Sequence, residues 1–179
     1  MLQRDPASGA VRRFFSGITE YAFHGRLGVV EPAMVEYISE MLTSFTHCDR
    51  IFSLRSTTGR RLDQVVDMLV EAQARQGTAL REIHRHIGDF TLFWTGVYPE
   101  AVERLRKQGR KDGLIDYPTQ GKRAYRIAST IPTDAETPRS EVLEQLSDQF
   151  ELCVYGLGEI RREWERRGAP GETTPLWFN

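Results

Sequence analysis

Between Leu80 and Val97 the apolar residues Leu80, Ile83, Ile87, Phe90, Trp94 and Val97 recur at alternating steps of three and four, the spacing of one face of an α-helix. The second half of this stretch, Ile87 to Val97, reads IGDFTLFWTGV and is almost wholly apolar or aromatic, yet it contains the ionisable Asp89. Such residues also favour strands. The repeat begins well before them, at Leu80, so a helix is expected, with a carboxylate set into its apolar part.

The same stepping recurs elsewhere. Pro32 suits the first position of a helix on which Met34, Ile38, Met41, Phe45, Cys48 and Phe52 follow, and this helix is expected to continue to about Leu54. Leu143, Leu146, Phe150, Cys153, Leu157, Ile160 and Trp164 define a long last helix from Pro138 to about Arg167. Shorter helices are expected over Ala10 to His24, over Leu62 to Gly77, after Pro99, and around Lys122 to Ser129, with the turn STTGRR and the loops KQGRKDG and IPTDAETP between them. Gly156 and Gly158 fall inside the last helix, where their use would be close approach of a neighbour.

These patterns predict an all-α fold: one domain over residues 1–179, a bundle of about six helices whose second, fourth and long C-terminal helices form the core. Residues 169–179, with Leu176, Trp177 and Phe178, are expected to dock as a tail. A chain of 179 residues with 40% hydrophobic and 27% charged residues is ordinary for a globular domain. The first residues lack a signal-peptide run, and no segment approaches the roughly 18 apolar residues of a membrane span. A cytoplasmic protein without a membrane partner is expected. Cys48 and Cys153 both fall on apolar stripes and read as buried thiols.

A formal net charge of −1 speaks against a dedicated nucleic-acid binder. Charge is uneven, however: between Glu100 and Arg126 eight basic residues (Arg104, Arg106, Lys107, Arg110, Lys111, Lys122, Arg123, Arg126) face four acidic ones. That excess, with Lys122, Arg123 and Arg126 in the segment TQGKR and just beyond it, is a candidate surface for an anionic ligand. Neither GRKDG nor TQGKR has the spacing of a phosphate-binding loop.

At 100° per residue, Leu92 and Phe93 fall about 60° and 40° to either side of Asp89, so its carboxylate is expected to be at least half buried. A buried carboxylate requires a partner. Arg55, Arg123 and Arg126 are the candidate partners from other helices, and an arginine in that place would fix packing. Glu82, His86 and Asp89 lie along one edge of the helix, and a carboxylate beside an imidazole can orient it for proton transfer or metal binding. His84 points away from His86 and reads as a boundary or surface residue.

Glu20 with His24, and Glu82 with His86, are Glu-x-x-x-His pairs, while Glu36, Glu40 and His47 lie on the second helix. Carboxylates and imidazoles projecting inward from several helices are what a di-metal bundle needs, although its motif is Glu-x-x-His. Glu20, His24, Glu82, His86 and Asp89 are therefore the candidate ligands of a divalent metal, and no other cofactor is predicted. No GxSxG motif occurs, and neither cysteine is placed for activation by a histidine. No catalytic residue can be assigned. The function expected is a non-catalytic interaction or regulatory module with a protein partner or a second copy. The alternatives are a helical metal-binding protein or enzyme with a Glu/His/Asp site, or a binder of an anionic ligand.

Overall fold

Three-four stepping is what the chain obeys in three dimensions: the computed structural model, which describes residues 6–134 and 138–167, is all-α. Among the described residues the only β pairing is an isolated antiparallel bridge between Arg55 and Arg61. It closes the expected STTGRR turn, in which Gly59 takes a positive φ of 83°. No helix in the described residues is long and apolar enough to cross a membrane. The side chain of Cys48 and the tail 169–179 lie outside the described residues.

The chain divides into two compact units, Met1–Ile51 with Gly156–Asn179, and Phe52–Tyr155. In the first, α1 (Pro6–Glu20) continues into a π-helical turn at Tyr21–Arg26, followed by α2 (Pro32–Phe45) and the short α3 (Cys48–Ile51). Ile18, Phe23, Met34, Ile38 and Leu42 are buried here. The expected continuation of α2 to Leu54 fails. The Thr43 hydroxyl donates to the Ser39 carbonyl and the Thr46 hydroxyl to the Thr43 carbonyl, and such back-bonding competes with the helical ladder.

The second unit holds α4 (Val65–Ala72), α5 (Gly77–Val97), α6 (Pro99–Lys107), a 3-10 turn at Lys111–Leu114, α7 (Tyr117–Thr130) and α8 (Ser140–Asp148). The expected long last helix is broken at Gln149, whose φ of −108° and ψ of 24° leave the helical region. After it comes α9 (Phe150–Arg167), within which the boundary between the units falls. The apolar stepping from Leu146 to Phe150 to Cys153 runs through the break, so periodicity alone could not reveal it.

Within the second unit α5 packs most extensively on α7, and α7 on α8. Glycines permit the first contact. A Cβ on Gly88 would lie 2.6 Å from the Tyr125 ring, and one on Gly121 would collide with the Thr91 hydroxyl of α5. In the first unit Gly156 likewise admits the ring of Phe23, the close approach its position in a helix suggested.

Candidate functional site

Helix α5 carries every ionisable residue that the core of the second unit takes in from the expected site. Asp89 is 3% exposed. Its Oδ2 accepts from Arg85 Nη1 at 2.9 Å and its Oδ1 from the Tyr125 hydroxyl at 2.8 Å. The carboxylate therefore has an arginine partner, but not one of the three expected. Arg85 stands one turn earlier on the same helix, where an i, i+4 pair forms locally, and Tyr125 supplies the link to α7.

The expected partners are engaged elsewhere. Arg55 is exposed and donates to the carbonyls of Phe52 and Leu54 at 2.7 and 3.1 Å. Arg126 pairs with Glu144 at 2.6 Å and also with Asp148, while Lys122 pairs with Glu151 at 2.8 Å. The Lys122 ammonium holds the Glu151 carboxyl below its ordinary range. Arg123 is exposed and forms no ion pair among the described residues.

Glu82 does share an edge of α5 with Asp89, and Arg85 bridges them: its Nη2 lies 2.7 Å from Glu82 Oε2. His86 is buried, with its ring 6.3 Å from that of Phe90. Glu20 and His24 belong to the first unit. Glu20 accepts from Ser16 at 3.3 Å, and His24 Nδ1 donates to the Val29 carbonyl at 2.5 Å, which leaves Nε2 as its only other ring nitrogen. Among the described residues no group of three or more His, Cys, Asp or Glu side chains converges as a metal site would require. Cys153 is a buried free thiol, as expected.

A further row of α5 residues, not expected in the core as a set, is deeply buried. The stepping Arg81, His84, Gly88, Thr91 is a second three-four ridge on α5, made of small and polar residues rather than large apolar ones, and its glycine and threonine meet α7. Arg81 is 0% exposed, and His84, expected at the boundary, is 8% exposed. Burial, followed by the nearby Arg123 guanidinium, holds the His84 pKa below its ordinary value of 6.5. Searching for polar as well as apolar periodicity would have found this ridge.

Asp112, also hidden from sequence reasoning inside the polar loop, is 3% exposed. Its Oδ2 accepts from the Val65 N–H at 2.7 Å and from the Tyr117 hydroxyl at 2.7 Å, and its Oδ1 from the Val66 N–H at 3.0 Å. The carboxylate thus caps the start of α4, where the chain's own N-cap residue, Gln64, makes no side-chain bond. Burial and the adjacent Asp112 charge push the Tyr117 hydroxyl well above the ordinary tyrosine range, so Tyr117 remains a donor to that charge.

Compared with protein-family models, with curated proteins and with solved structures, the chain matches none. Its chemistry has to be read from its own residues.

Proposed function

We propose that this protein is a non-catalytic interaction module of the cytoplasm that binds an acidic segment of a partner protein along α6 and the 3-10 turn after it. The observation that supports this reading is a thinly packed helix: α6 has no fully buried residue, its apolar Ala101, Val102 and Leu105 are only half-buried, and it carries Arg104, Arg106 and Lys107 in its last turn. Arg106, Lys107 and Arg110 form no ion pair among the described residues, whereas Lys111 is drawn to Asp67 at 3.2 Å. Leu114, at the end of the turn, is 91% exposed. A nine-residue helix is marginal by itself, so docking that neutralises these cations and covers Leu114 would stabilise both the complex and the helix. Complementary charge also steers association and selects the partner.

Fluorescence anisotropy with a labelled peptide of alternating Glu and Leu tests the reading. Binding should weaken as salt rises, and the combined Arg106→Glu, Lys107→Glu, Arg110→Glu variant should bind about tenfold more weakly or worse. Binding indifferent to that charge reversal would sink the proposal. So would preference for a single-stranded RNA homopolymer over the peptide, or loss of binding through self-association that buries α6 against a second copy.

A further inference from the structure

A guanidinium that leaves water must regain its hydrogen bonds and a counter-charge, because an uncompensated buried ion costs several kcal/mol. Arg81 has regained little of either. Its Nη2 donates to the Pro138 carbonyl at 2.6 Å, but among the described residues Nε and Nη1 are buried without a hydrogen-bond partner. Among the described residues the carboxylate it pairs with is that of Glu82, whose Oε1 lies 3.9 Å from Nη1 and whose other oxygen is held by Arg85. Asp89, the next acid on the helix, is held by Arg85 and Tyr125.

Other features of the neighbourhood share the same sign. His84, one turn along the same ridge, is buried with Nδ1 lacking a partner, and Arg123 stands close enough to disfavour its protonation. A neutral imidazole can still donate through Nδ1–H. The Pro138 carbonyl that Arg81 grips lies just before α8, a helix whose N-cap residue, Arg139, makes no side-chain bond. Its first N–H groups add positive potential at that end.

We propose that Arg81 and His84 bind a small monovalent anion, of the size of chloride or formate, where α5 meets the segment leading into α8. The anion accepts from the unused N–H groups of Arg81 and from His84, and it adds close counter-charge to the single long ion pair with Glu82. Enclosure sets its size: with Arg81 fully buried and His84 nearly so, a nucleotide or a sugar phosphate has no access to these atoms. A buried water could satisfy N–H groups but not the charge, and this difference is measurable. The site is separate from the α6 surface, and its test does not depend on the partner proposed there.

Thermal unfolding of the full chain at constant ionic strength, with bulky gluconate replaced stepwise by chloride or formate, reads the site through ligand linkage. The midpoint should rise with the logarithm of the small anion's concentration. Arg81→Met should abolish the rise, and His84→Phe should shift it to several-fold higher concentration. Chloride-35 line broadening by the wild-type protein, reversed by formate, provides a readout that requires no variant to fold. A wild-type midpoint indifferent to the anion, an unchanged rise in Arg81→Met, or absence of chloride broadening would overturn the proposal.

Discussion

Asp112 and Arg81 are both charges enclosed in the second unit, and they differ in how completely their surroundings answer them. Asp112 accepts from two backbone N–H groups and a tyrosine hydroxyl, whereas Arg81 has, among the described residues, one carbonyl, a 3.9 Å ion pair with Glu82 and two nitrogens without a hydrogen bond. The first arrangement is closed and joins α4 to the 3-10 turn and α7. The second is open toward something that the chain's described residues do not supply. Burial alone therefore does not mark a binding site; an incomplete partner set does.

The largest effect should come from breaking the closed arrangement. Asp112→Ala would strand two helix N–H groups and the Tyr117 hydroxyl, and a loss of about 3–5 kcal/mol is expected in urea unfolding. Asp89→Ala should follow at about 3 kcal/mol, since it strands Arg85 and the Tyr125 hydroxyl. A loss under about 1 kcal/mol would contradict the buried pairing described for it. Gly88→Ala should cost about 1–3 kcal/mol by forcing the Tyr125 ring away from α5, measured by the same unfolding.

Arg81→Met should behave differently. Replacing a poorly paired buried ion by an apolar side chain is often neutral, so in gluconate buffer its stability should stay within about 1 kcal/mol of wild type. If it falls as far as Asp112→Ala does, the contrast between the two sites collapses. The smallest effect concerns pH. In gluconate buffer, where the small-anion site is empty, the folded-state pKa of His84 is lowered, so the unfolded chain binds more protons, and the stability present above 6.5 should be lost as pH falls from there through the folded-state value. His84→Gln should flatten that part of the wild-type stability profile.

The helices of large apolar residues were legible because burying one face imposes a period, and α2 and α5 begin close to where their stepping predicts. The burial of Asp89 was legible for the same reason, since Leu92 and Phe93 flank its direction. Its partner was not. A search among other helices passed over Arg85, one turn away, and Tyr125 is only one of several polar residues on a helix whose orientation periodicity does not set. The ridge of Arg81 and His84 escaped because it is polar, and a period sought only in apolar residues assigns such a face to solvent. Asp112 was illegible in principle: nothing local distinguishes an aspartate in KQGRKDG that caps a distant helix from one that faces water.

That distant cap has a kinetic meaning. The N–H groups of Val65 and Val66 are answered by a residue 47 and 46 positions later in the chain, so the first turn of α4 cannot complete its hydrogen bonding until that loop has closed. Closing it costs chain entropy before any contact repays it, which separates α4 from α5, whose turns can form from neighbouring residues alone. In folding kinetics Asp112→Ala should therefore show its effect in the step that closes the loop, and α4 should become protected from hydrogen exchange after α5 does.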